Sequence, residues 1–245
     1  LVRRFLAALS AATEEGMLYD VDMKLRPSGS KGPWAVSRAA FETYYAQDAW
    51  TWESMALLKA RVVAGPDAFR AEIRAAIDRV LVRPRDRAKL VADVADMLRR
   101  IDETRIEAQG RAGNPFDVKH VRGGLAEFDF ILALLALGAA AKAGAPPSDA
   151  PGLVAWLAAA GVLDAEESAF LSSACGLYRT VLQLGRAATG GAIEAATAGS
   201  ALSARLAEAT GTASLEEAAA RLVSVQAEIL RRFERHVGEG GGLAQ

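Results

Sequence analysis

Cysteine is almost missing from this chain: Cys175 is alone among 245 residues. That excludes an internal disulfide and any metal site built on a cysteine cluster, and it fits a reducing cytosol. Two histidines, His120 and His236, are too few and too far apart for a His-rich zinc site. Each reads first as a surface or capping imidazole. An excess of charge is missing too. The count is 29 Lys+Arg against 30 Asp+Glu, a formal net charge of -1. The basic surplus typical of a nucleic-acid binder is therefore absent. The longest apolar run, near Ile131–Ala141, is roughly 11 residues, about half of a membrane span. No signal-peptide pattern is read at Leu1–Leu6; with the lone cysteine, the expected place is the cytoplasm. Leu1 is not a methionine, and Val2-Arg3-Arg4-Phe5-Leu6 reads as the middle of an amphipathic helix. A fragment of a longer protein is expected.

What is present is helix-forming. Hydrophobic residues make up 51% and charged residues 24%, and roughly a fifth of the chain is alanine. That is enough apolar material for a core. One segment, residues 17–26, reads as a strand. From Asp20 it alternates: Val21, Met23 and Leu25 face one way, and Asp20, Asp22, Lys24 and Arg26 the other. Gly16 before it and Pro27-Ser28-Gly29-Ser30-Lys31-Gly32-Pro33 after it are turn signals. From Ser37 onward the pattern is helical. Ser37 is the expected N-cap of Arg38–Gln47, and Asp48 that of a helix from Ala49 to Arg61. Further helices are expected at about 65–81, 87–109 and 125–142, then three or four more over 152–237. Breaks fall at Gly161, Gly190-Gly191, Gly199 and Gly211. The expected fold is mainly α, a helical bundle preceded by a short β remnant. Its domains would be residues 1–64, a bundle at 65–238 and a flexible tail at 239–245.

Asp20 and Asp22, two apart on a strand, would share a face. Paired carboxylates repel unless a cation lies between them, and Mg²⁺ with a triphosphate is a common occupant. Arg26 can clamp a phosphate. The donor-rich Ser28–Gly32 turn can wrap phosphates with backbone N–H groups. The competing reading is an edge strand with a solvated charged face. Trp50 or Trp52, downstream of Tyr44-Tyr45, is expected to be buried and to anchor the strand piece on the helices rather than to stack a base. Phe116-Asp117-Val118-Lys119 leads to Gly123-Gly124 and then to Glu127 and Asp129. Those acids suit the start of a helix. Alternatively, the turn brings Lys119 and the acids to the edge of a nucleotide site.

Several motifs occur in order. They are residues 18–29 (Leu-Tyr-Asp-Val-Asp-Met-Lys-Leu-Arg-Pro-Ser-Gly), Ala49-Trp50-Thr51-Trp52-Glu53, Lys59-Ala60-Arg61-Val62-Val63, and the run from Phe116 to Phe130. Together they resemble the bacterial glutamine synthetase adenylyltransferases. That resemblance implies a nucleotidyltransferase-like sheet and a bifunctional enzyme. One half of such an enzyme transfers AMP from ATP to a tyrosine of glutamine synthetase, and the other removes it by phosphorolysis. The signal protein PII and glutamine set the balance. The Arg-Pro-Ser-Gly turn and the Trp pair resemble the C-terminal, adenylylating half. The resemblance implies Asp22 as a catalytic metal carboxylate, with Asp20 beside it, and Mg²⁺ as cofactor. It implies nucleotide contacts at Arg26, Ser28, Gly29, Lys31 and Lys119. The family's first metal pair, an Asp-x-Asp after a Gly-Ser turn, has no counterpart before residue 16, so this piece alone is expected to be inactive. Glu127-Phe128-Asp129-Phe130 departs from the family's Asp-Ile-Glu-Phe by exchanging the two acids. The alternative function is a helical interaction module that docks glutamine synthetase or PII and catalyses nothing itself.

Overall fold

The computed structural model describes residues 2–17, 21–109 and 113–238. The chain forms two compact units, Leu1–Leu81 and Val82–Gln245. The division falls after Leu81 rather than at the expected 64/65, and the expected tail at 239–245 lies outside the described residues.

The first unit opens with α1 (Val2–Leu9), an amphipathic helix with no buried residue. A hairpin follows, β1 (Ala12–Thr13) paired antiparallel with β2 (Gly16–Met17). Gly16 takes φ 99, the left-handed region a tight turn demands, and Thr13 Oγ1 donates to Gly16 O at 2.7 Å. The expected strand over residues 17–26 is not formed at 21–26, and Asp20 lies outside the described residues. A strand needs a neighbour to receive its backbone groups. Here a side chain serves instead: Arg26 Nη1 donates to Met23 O. The sequence alternation survives in part. Val21 and Met23 are half-buried, Asp22 and Lys24 are exposed, and Leu25 breaks the pattern at 71% exposure.

Three helices complete this unit: α2 (Arg38–Gln47), α3 (Thr51–Leu57) and α4 (Asp67–Leu81). Ser37 caps α2 as expected, accepting from Ala40 N at 3.2 Å. Asp48, expected to start the next helix, ends α2 instead. The start of α3 is Trp50, whose N–H donates to Glu53 Oε2 at 2.9 Å. Glu53 at the third helical position is a capping acceptor, and it competes successfully with Asp48 for that role. Both α2 and α3 pack on α4. Arg79 of α4 pairs with Glu42 of α2, and this holds α4 in the first unit.

Among its described residues the second unit consists of helices joined by turns and loops, with no strand. It runs α5 (Arg87–Gln109), α6 (Leu125–Ala143), α7 (Ala150–Ala159), α8 (Ala165–Thr189), α9 (Ser200–Thr210) and α10 (Leu215–Gly238). Asp86, Asp149 and Asp164 accept first-turn N–H groups of α5, α7 and α8. Helices α8 and α9 end at Gly190 and Gly211, both left-handed. α6 is the centre, with α5, α7, α8 and α10 against it. Its apolar run is buried on all sides, including Ile131, Leu132, Leu134 and Ala136. No helix among the described residues is long and apolar enough to cross a membrane.

The segment Asn114–Gly124 locks the bundle. Asn114 Nδ2 donates to Ile193 O at 2.7 Å, and Gln226 Nε2 to Pro115 O at 2.8 Å. Tyr178 OH donates to Gly123 O at 2.6 Å. Gly123 takes φ 72, and a Cβ there would collide with the backbone carbonyl of Gln226 on α10. A Cβ on Gly124 would collide with Val118 O. Gly123→Ala is therefore expected to destabilise the second unit by at least about 2 kcal/mol, through both strain and overpacking. Urea unfolding of the chain, followed by helix signal, checks this. A loss under about 0.5 kcal/mol would show that α10 shifts freely.

Candidate functional site

The residues expected to hold nucleotide in the first unit do gather in one loop. After Asp22 the chain runs through Arg26 into a short 3₁₀ turn, Gly29–Lys31. Ser28 adopts φ 62, the one positive φ outside glycine among the described residues. Gly32 cannot carry a side chain, because its Cβ would collide with Pro27 O. The loop is thus closed tightly on itself. Gly29 N donates to Arg26 O at 2.8 Å, and Lys31 N to Ser28 O at 3.2 Å. These bonds engage some of the amides that a phosphate cradle would use. The Lys31 side chain is exposed.

Arg26 braces this loop. Its two terminal nitrogens donate to Met23 O and, at 3.4 Å, to Gly32 O, and the guanidinium lies 5.6 Å from the Trp34 ring. Nε is buried without a partner. Asp22 is at the rim with its side chain 65% exposed. Its Oδ1 accepts from Lys24 N at 2.8 Å, and its Oδ2 is 3.9 Å from Lys24 Nζ. Among the described residues no three acids, histidines or cysteines are arranged to hold a metal. Among the described residues Asp22 offers Mg²⁺ one carboxylate, and one carboxylate does not hold it tightly; Asp20 lies outside the described residues.

The anchor under the loop is not the tryptophan pair. Trp50 is 71% and Trp52 38% exposed, so the expected burial of one or the other is corrected. The buried member of Ala-Trp-Thr-Trp-Glu is Glu53, at 4% exposure. Tyr44 OH donates to its Oε1 at 2.7 Å, while Trp50 N–H occupies Oε2. Burial and the Glu53 carboxylate hold the Tyr44 hydroxyl above its ordinary range, and the Ser28 backbone amide acts in the opposite sense on the same hydroxyl. Burial also pushes the Tyr45 hydroxyl far up, with Glu53 adding to it. Sequence reasoning missed this acid, although its position three residues after Trp50 was the available signal. Trp52 instead lines a groove of about 220 Å³ with Leu25, Tyr45 and Ala56.

Lys119 belongs to the second unit. It follows Asp117, which lies in a turn where His120 N and Val121 N both donate to Asp117 O at 3.0 Å. Lys119 lines a cleft of about 690 Å³ with Arg100, Ile101, Arg105, His120 and Ala126. Of the two acids expected nearby, Glu127 is turned inward. Glu127 is fully buried and forms a two-pronged pair with Arg105, at 2.6 and 3.4 Å. Asp102 also bonds Arg105, at 3.2 Å, and Arg122 lies 3.3 Å from Asp102. Asp129 is half-buried and has partners of its own.

Comparison with known proteins decides the lineage. Residues 1–76 match the family model of glutamate-ammonia ligase adenylyltransferase. Along most of its length the chain is similar to bifunctional glutamine synthetase adenylyltransferase/adenylyl-removing enzymes. It is 37% identical over 234 residues to that of Xanthobacter autotrophicus, which covers 95% of this chain and 23% of the relative. It is 40% identical over 194 residues to that of Agrobacterium fabrum, covering 78% and 19%. For Caulobacter vibrioides the figures are 39% over 236 residues, 96% and 23%. The chain belongs to the glutamine synthetase adenylyltransferase family. It spans about a fifth to a quarter of the length of these curated relatives.

Within this family member, the Glu53 network is expected to matter more than the tryptophans. Glu53→Ala leaves Tyr44 OH and Trp50 N–H without their acceptor and should cost about 2–4 kcal/mol. Trp50→Ala should stay within about 0.5 kcal/mol, as for an exposed side chain. Thermal and urea melts of the two variants check the order, and a reversed order would restore the aromatic anchor.

Proposed function

We propose that this segment serves the adenylylating half of a bifunctional enzyme, where AMP passes from ATP to a tyrosine of glutamine synthetase. The observation that carries the proposal is the braced Pro27–Gly32 loop, lying inside the region that matches the adenylyltransferase family model. A closed loop with an exposed lysine positions phosphate oxygens without ordering itself on binding. In this reading Lys31, Ser28 and Gly29 meet the phosphates. Arg26 keeps the loop shut, and its charge acts at short range. Trp52 and Leu25 offer an apolar wall for the base.

Asp22 contributes one carboxylate toward Mg²⁺, which when bound neutralises charge on the phosphates. The remaining ligands would come from elsewhere in the intact enzyme. PII and glutamine would act as effectors in the cytoplasm. The single carboxylate also favours a second reading for the segment by itself: a module that docks glutamine synthetase or PII and needs a partner region for catalysis.

Two measurements test these readings. The 245-residue chain, incubated with radiolabelled Mg-ATP and glutamine synthetase, should transfer no AMP. Robust transfer would make Asp20 and Asp22 the primary metal pair and overturn the single-carboxylate reading. In the intact enzyme, Asp22→Asn should lower transfer by at least about a thousandfold, since it removes a metal-bound charge. Its melting should stay within about 1 kcal/mol of wild type, because Asp22 is exposed. Near-normal turnover would remove Asp22 from the site.

A further inference from the structure

The second unit has a cleft that the loop chemistry does not use. Its lining on α5 is Arg100, Ile101, Thr104 and Arg105. The 117–121 turn adds Lys119 and His120, and α6 adds Ala126. No carboxylate lines it among the described residues, because each nearby acid is engaged. Asp96 lies 2.7 Å from Arg100, and Asp102 and Glu127 hold Arg105. Asp117 places both oxygens 3.0 Å from His120 Nδ1. No ion pair or hydrogen bond of Lys119 is seen among the described residues, so its ammonium is available to a ligand.

The two side chains on the turn are set differently. His120 turns its Nδ1 edge to Asp117, so Nδ1–H donates to that carboxylate, and Nε2 donates to an oxyanion in the imidazolium form of the ring. Lys119 is exposed, with three donors and a flexible stem. The turn beneath them cannot drift, because Gly123 and Gly124 seat it against α10 and Val118. The neighbouring wall at Arg105 is equally fixed by its buried pair with Glu127. Between these sits an apolar patch, Ile101 and Ala126. Such a cleft takes a ligand with a charged oxyanion head and an apolar body.

We propose that the cleft between α5, the Asp117–Val121 turn and α6 is an oxyanion-binding site, with Lys119 on the head group, joined by Nε2–H of His120 as imidazolium, and Ile101 and Ala126 under the body. The shared chemistry is a phosphate ester or a carboxylate of small size. All its residues belong to the second unit, so the site stands apart from the proposal for the Pro27–Gly32 loop.

Calorimetric titration of the whole chain at low ionic strength tests it, with inorganic phosphate, AMP and glutarate as separate probes. Wild type, Lys119→Met, His120→Gln and Lys31→Ala are compared. At least one probe should bind, with affinity about tenfold weaker in Lys119→Met and a few-fold weaker in His120→Gln. Lys31→Ala removes the contribution of the Pro27–Gly32 loop, so binding at the cleft is what persists in that variant. Binding of phosphate and AMP but not glutarate assigns a phosphate ester, and preference for glutarate assigns a carboxylate. No binding of any probe overturns the proposal. So does binding that Lys119→Met leaves intact, including AMP binding that only Lys31→Ala removes. Both substituted side chains on the turn are exposed, so their melts should match wild type. Loss of AMP transfer in an Asp22→Asn enzyme bears only on the loop, so the two readings fail separately.

Discussion

The second unit depends on a close approach between backbones. Gly123 lets the carbonyl of Gln226 on α10 come to a distance that no side chain permits, and Gly124 does the same for Val118. Around that contact the polar groups of the Asn114–Gly124 segment are satisfied at long sequence range. Tyr178 reaches in from α8, Gln226 from α10, and Asn114 reaches out to Ile193. Buried loop backbone is tolerated only when its N–H and C=O groups have partners. The segment therefore works as the pin around which α5, α6, α8 and α10 are set, and the cleft at Lys119 inherits its rigidity.

Charge is used in the interior with partners always at hand. Glu127 is fully buried yet meets both terminal nitrogens of Arg105, and Asp102 shares the same guanidinium. At the other end of the unit, Arg232 lies 3.3 Å from Glu166 and 4.5 Å over the Phe170 ring, while His236 Nε2 lies 2.8 Å from Glu167. A buried pair of this kind adds little net stability against an apolar substitute, but its break is costly. Here the pair joins α5 to α6 and neutralises Glu127.

The first unit solves a different problem. Its loop carries a strained residue, Ser28, and a glycine that admits no side chain, Gly32. The brace comes from Arg26 within the loop and from the Tyr44–Glu53 bond below it. Placing the buried acid at the start of α3 fixes both the helix and the tyrosine that faces the loop. Trp52 lines the groove beside Leu25 instead of filling the core.

Much of this was legible from the residues alone. Helix α2 with its Ser37 cap, the Asp86 start of α5, the glycine ends of α8 and α9, and the central apolar α6 all follow from local propensity and periodicity. Those signals act over a few residues, so sequence reports them. The motifs also determined the family. Strand or no strand at 21–26 was decided by what lay beside it: the alternation was real, but no ladder partner received it and Arg26 took the carbonyl of Met23 instead. Trp50 outside and Glu53 inside were decided the same way, because burial depends on which neighbours arrive and not on hydrophobicity alone. Glu127 could be read as a helix-start acid from its position. Only the arrival of Arg105, 22 residues earlier in the chain, made it a buried ion pair and turned its carboxylate away from any ligand.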